Sequence, residues 1–161
     1  MDRLVALAQL LSLIVVGVVA GIFVGTQVGQ VRVQSSLGAR DFTLVKHRFE
    51  VALGVIMPVL VIGSAVTIAA VVVLTAVAGG GGAVLLGSGV ALLLWIGVIV
   101  VTLRYNAPVN RLAASWDPAA PPGDWEALRD RWHRGQTVRT PLAVSSFVVL
   151  ALGVVWPRLV P

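Results

Sequence analysis

Four apolar stretches, residues 4–28, 51–78, 83–103 and 142–156, contain no charged side chain and occupy more than half of a 161-residue chain. About 20 apolar residues carry a helix across the roughly 30 Å hydrocarbon core of a bilayer, where a helix satisfies its own backbone hydrogen bonds. The first three stretches are long enough by themselves. The fourth is short, and the helical periodicity of the residues before it supplies the missing turns. The expected spans are therefore about 4–28, 51–78, 83–103 and 139–156, with an amphipathic helix over about 124–138. Pro141 then falls inside a helix and is expected to kink it, which neighbouring helices tolerate in a membrane. The first stretch is too long for the apolar part of a signal peptide and is expected to remain as a span. With 58% hydrophobic and 12% charged residues, the composition lies outside the range of soluble domains. The expected fold is all-α: a four-helix transmembrane bundle, a single integral membrane domain over 1–161, with a polar cap.

Charge fixes the expected orientation. Four spans put loops 29–50 and 104–141 on one face, and both termini and the 79–82 turn on the other. Ten of the twelve Lys and Arg fall on the first face, and only Arg3 and Arg158 on the second. The positive-inside rule makes the capped face cytoplasmic and both termini external. Eleven arginines to one lysine, with abundant Ala, Val and Gly, fit a GC-rich bacterial genome, so a bacterial plasma membrane is expected. Topology thus explains the net charge of +5 without nucleic acid, for which a basic stripe on a soluble fold would be needed. Membrane lipids are the expected partners, with Arg104, Arg111 and Arg131 reaching headgroups.

Several chemistries are excluded. Without cysteine there is no thiolate ligand or thiol nucleophile. The 79–82 glycine run lacks the Lys and Ser/Thr of a phosphate loop, and no Gly-x-Ser-x-Gly occurs. Transport is harder to dismiss, because Ser64, Thr67 and Thr75 give the second span mild polarity. Yet no span centre carries a charge that would relay ions, and one protomer is small for a translocation path, so transport would require an oligomer. His47 and Glu50, and Asp130 and His133, have the three-residue spacing of di-iron bundles. Such bundles need further bridging carboxylates, and the other acids on this side, Asp41, Asp117, Asp124 and Glu126, sit where caps and loops would use them, so no metal is expected.

Local signals are sparser. Gly17, Gly21, Gly25 and Gly29 recur every fourth residue in the first span; such a face packs closely inside the bundle or forms a homo-oligomer seam through Gly17, Gly21 and Gly25. Asp41 is placed to N-cap a helix running through Lys46, His47, Arg48 and Glu50 into the second span, which Met57-Pro58 should bend. Asp124 is placed to cap the amphipathic helix.

Chemistry is concentrated in a polar island over 104–140. It begins with Arg104-Tyr105-Asn106-x-Pro108-x-Asn110 and resumes with Trp125, Arg129, Trp132, His133, Arg134 and Arg139. Asn106 and Asn110 share a helix face, and Trp132, Gln136 and Arg139 continue a polar and aromatic stripe from Trp125 and Arg129. Pointing inward, that stripe builds a pocket; pointing outward, it is an interfacial belt.

This pattern resembles the anthrone oxygenase-like family of small four-helix membrane proteins. The likeness includes the span layout, the glycine-rich first helix and Phe23; its specific part is Asn106, Pro108, Asn110, Trp125, Trp132, His133 and Arg139. Gln27, Gln30, Arg32 and Gln34 stand where many members are more aromatic. The resemblance implies an oxygenase that needs no cofactor and oxidises an anthrone-type or other hydrophobic aromatic molecule with O2, because an enolate formed from an acidic methylene reduces oxygen directly. On that reading His133, or His47, is the base. Asn106, Asn110 and Arg129 stabilise the enolate oxygen, and Trp125, Trp132, Tyr105 and Arg139 bind the substrate. The competing reading is a non-enzymatic membrane protein that binds lipid, a small molecule or partner helices. Convergence of the island's side chains on one cavity separates the two.

Overall fold

The computed structural model describes residues 1–159, with side chains through Trp156; Arg158, counted above on the weakly basic face, lies outside the described side chains. Every regular element among the described residues is helical. The helices are α1 (Asp2–Ser35), α2 (Ala39–Leu53), α3 (Ile56–Val77), α4 (Gly82–Ala113) and α5 (Trp125–Leu159). Four of them, α1, α3, α4 and α5, are long and apolar enough to cross a membrane, so the chain is a multi-pass membrane protein. The amphipathic segment and the fourth span are one continuous helix.

Helix lengths explain the cap. The 22 residues of α3 rise about 33 Å, close to the hydrocarbon thickness. At 34, 32 and 35 residues, α1, α4 and α5 extend about 15–20 Å farther. Short α2 packs against the overhanging parts of α4 and α5. Phe42 of α2 pins the proline-rich strap, with its ring centroid 6.0 Å from that of Trp116 and 5.7 Å from that of Trp125.

Inside the bundle, Val16, Val19, Ala20 and Phe23 of α1 meet Val61 and Ile68 of α3, Ala91, Trp95 and Val98 of α4, and Ala143, Leu150 and Val154 of α5. Lipid solvates apolar side chains as well as protein does, so close packing and interhelical hydrogen bonds have to hold such a bundle. Trp95 Nε1 donates to the Val61 carbonyl at 2.9 Å, and Ser146 Oγ to that of Ala91 at 2.8 Å. The tightest backbone approach joins α4 and α5, where a Cβ on Gly87 would lie 2.8 Å from Gly153 Cα. The α1 glycines behave differently from the packing expectation. Gly17 abuts Phe147, but nothing lies within 4 Å of a Cβ at Gly21, Gly25 or Gly29, because α1 turns the Val16–Val19–Phe23 face inward instead.

Local details also depart from the sequence reading. Gly38, not Asp41, is the cap residue of α2, and Asp41 lies in the first turn, where a carboxylate complements the helix dipole. Met57-Pro58 interrupts the helix instead of bending it: α2 and α3 separate at Gly54–Val55. A proline ring clashes with the carbonyl four residues back, and for Pro58 that residue is Gly54. Pro108 acts the same way on Arg104. There α4 adopts a π-helical turn, Thr102–Asn106, and the Arg104 carbonyl accepts from Arg131 Nη2 at 2.7 Å. Arg131 is therefore engaged within the fold rather than free to seek headgroups. A second π-helical turn, Thr26–Gln30, interrupts α1 near the same end. The glycine run after α3 forms a Schellman closure: Gly79, at φ +62°, donates to Ala76 and Gly80 to Thr75.

Candidate functional site

The break at Gly54–Val55 turns α2 aside, so α1 and α4 continue past the start of α3 with space between them. That space is a cavity of about 690 Å³, within the usual range for small-molecule sites. Its membrane-side wall is apolar: Phe23, Met57, Val61, Ile62, Ile99 and Leu103. Its cap-side end is polar and carries Glu50, Asn110, Trp132 and Arg139, with Thr26 and Thr102 from the two π-helical turns. π-Helical turns shift the register of the side chains that follow and recur at functional sites.

A hydrogen-bonded chain organises the polar end. Lys46, fully buried, donates to Glu50 Oε1 at 2.5 Å and to Asn110 Oδ1 at 2.9 Å. Trp132 Nε1 donates to the same Asn110 oxygen at 2.8 Å. Two donor-only partners on Oδ1 fix the amide orientation, and Asn110 lines the cavity. Lys46 Nζ also lies 4.3 Å from the Trp132 ring centroid. Burial lowers the Lys46 pKa from 10.5 to about 8, against the opposing pull of Glu50.

Arg139 is the second buried cation beside Lys46. Its side chain is buried, with Nε donating to Gln136 Oε1 at 2.7 Å and Nη1 lying 3.4 Å from Thr102 Oγ1. The guanidinium sits over Phe23 at 4.3 Å and near Trp132 at 5.9 Å. Among the described residues the ion pairs are Lys46–Glu50 and Arg129–Asp130, so Arg139 has aromatic faces and no carboxylate in direct contact, Glu50 acting on its charge from beyond salt-bridge distance. With Lys46 paired to Glu50, Arg139 and Arg111 give the cavity lining a net positive charge. Gln136 is held in turn by the Phe23 carbonyl, to which its Nε2 donates at 3.0 Å.

A family model described as anthrone oxygenase matches residues 46–149. The chain belongs to the anthrone oxygenase family. The matched segment starts at Lys46 and includes Glu50, Asn110, Trp132 and Arg139. No curated protein and no solved structure matches the chain.

In this family member the residues singled out from sequence divide between several places. Asn110, Trp132 and Arg139 reach the cavity. Asn106 is buried beside them, donating to the Trp132 carbonyl at 3.0 Å, with Gly135 closing on its amide so tightly that a Cβ there would lie 2.5 Å from Asn106 Oδ1. Tyr105 and His133 line a shallow outer groove with Asp130 and Arg134. His133 Nε2 lies 3.3 Å from Gln34 Oε1. Arg129 pairs with Asp130 at 3.0 Å and covers the Trp125 ring. His47 Nδ1 lies 3.1 Å from the Ala113 carbonyl. Among the described residues no three His, Asp or Glu side chains gather as a metal site.

Glu50 lines the cavity and Lys46 holds it; the sequence reading placed both on the helix leading into the second span and weighed Glu50 only with His47 as a metal pair. Their signal was present: the chain's only lysine stands four residues before a glutamate, on a helix entering a membrane span.

Proposed function

We propose that this protein is an oxygenase-like membrane enzyme that takes a flat, hydrophobic aromatic ketone with an acidic methylene into the cavity. Glu50 accepts a methylene proton. The enolate oxygen formed rests against Arg139 and the Asn110 Nδ2 donor, and the Trp132 ring flanks the aromatic body. The enolate passes electrons to O2 and a carbon–oxygen bond forms. The resulting hydroperoxide loses water to leave a second ketone, so one CH2 and one O2 become one C=O and one H2O. No bound cofactor is required by this balance. Fixed donors aimed at a developing oxyanion are worth most in a site shielded from water.

The observation that carries this reading is the buried Arg139, in contact with no carboxylate, in the same cavity as Glu50. A buried cation with no anion in direct contact is costly, and an enolate oxygen on the guanidinium would supply that contact. His133, the base suggested by the sequence, lines the outer groove, so the proton-accepting role passes to Glu50 here. The cap lies on the cytoplasmic side of a bacterial plasma membrane on this reading, by the excess of Lys and Arg in its two loops.

Oxygen uptake by the purified protein in lipid nanodiscs, with anthrone supplied, tests the proposal. Wild type is expected to consume one O2 per anthrone oxidised. Glu50→Gln is expected to lower turnover about 100-fold or more, the usual range for a lost general base. Unchanged uptake in that variant would refute the assignment.

A further inference from the structure

The cavity has a mouth as well as a polar end. Ile62 on α3 and Leu103 on α4 both line it, yet they are 59% and 61% exposed. These are apolar side chains that face the space inside and the surroundings outside at once. Ile62 lies six residues into α3, about 9 Å along its axis. Because α3 is about as long as the hydrocarbon core is thick, that depth is inside the lipid. Gly54 and Pro58, at the elbow between α2 and α3, complete the rim. The oxygen-binding groups Asn110 and Arg139 lie at the opposite, cap-side end.

We propose that the cavity is loaded sideways from the bilayer. A lipophile dissolved in the membrane, flat and carrying a carbonyl oxygen at one edge, enters between Ile62 and Leu103 under the elbow. Its oxygen comes to rest on Arg139 and Asn110, and its apolar body stays against Met57, Val61 and Ile99. This rests on the cavity assigned above but requires no turnover, so entry stands or falls separately from the chemistry.

The absence of cysteine from the natural chain makes a reversible test available. Ile62→Cys and Leu103→Cys are prepared singly as full-length protein in phosphatidylcholine nanodiscs. Each is treated with the lipid-soluble reagent benzyl methanethiosulfonate, and the benzyl group is later removed with dithiothreitol. Binding of anthraquinone delivered in the lipid is followed by quenching of tryptophan fluorescence, with anthracene as the probe lacking oxygen. Both thiols are expected to react, association of anthraquinone to slow at least tenfold after modification, and reduction to restore the original rate. Anthraquinone is expected to bind at least tenfold more tightly than anthracene. Thiols that do not react from the lipid, or association at the unmodified rate after labelling, would overturn the lateral mouth. Equal affinity for the two probes would overturn the oxygen-binding end. Anthraquinone has no methylene to lose a proton, so its binding is read without turnover, and failed oxygen uptake with anthrone bears on the chemistry and not on entry.

Discussion

Lys46 connects three cavity residues at once: it donates to Glu50 and Asn110 and lies over Trp132. Its buried ammonium also makes a pH signature. In the unfolded chain a lysine holds its proton up to about pH 10.5, whereas folded Lys46 loses it near 8. Between those values the unfolded state binds one more proton, so stability rises with pH. The contribution is complete above 10.5 and disappears as pH falls through about 8. Thermal unfolding in detergent should show this rise between pH 8 and 10, and Lys46→Met should lack it. The comparison is clean because the chain has one lysine, one tyrosine and no cysteine. A rise of equal size in the variant would assign it to another group. The same residue shows where sequence reading stops. Trp132, Gln136 and Arg139 share a helical face, and that face does reach the site. His133 is adjacent in sequence but about 100° around the helix, and with polar residues on both sides the pattern did not say which face turned inward.

At the scale of elements, the spans were legible because a run of apolar residues needs no tertiary partner to declare itself. The union of the amphipathic segment with the fourth span was legible too. The site was less so, because Glu50 acquires meaning only when Pro58 breaks the helix at Gly54–Val55 and opens a space beneath it. Glycine spacing was similarly incomplete. The regular α1 stripe drew the eye, while the close crossing falls at Gly87 and Gly153, one glycine on each of two helices. Gly153→Leu should therefore destabilise the bundle by about 1–3 kcal/mol, the usual cost of overpacking. Gly21→Leu, with open space around it, should leave the monomer's unfolding temperature nearly unchanged. Equal losses in the two variants would contradict the packing described for α1 and α5.

At the scale of the whole molecule, three overlong helices and one short one place a polar cap at one end of an apolar bundle, with the cavity where the two meet. That arrangement brings a carboxylate and a buried guanidinium to one cavity where the polar cap meets the apolar bundle. Orientation across the membrane is open to a direct check in intact cells. A single cysteine at Gly81 should react with a membrane-impermeant maleimide added outside, and one at Ala119 should react only after the cells are opened; the reverse pattern would invert the proposed topology. The family assignment and the cavity together support carbon-acid chemistry at Glu50, and the proton-transfer step can be isolated by withholding oxygen. The decisive measurement is the rate of deuterium exchange from D2O into the anthrone methylene under anaerobic conditions, followed by mass spectrometry for wild type, Glu50→Gln and His133→Gln. Exchange above the uncatalysed rate is expected in wild type and His133→Gln and should vanish in Glu50→Gln; exchange that survives in Glu50→Gln and vanishes in His133→Gln would contradict the account.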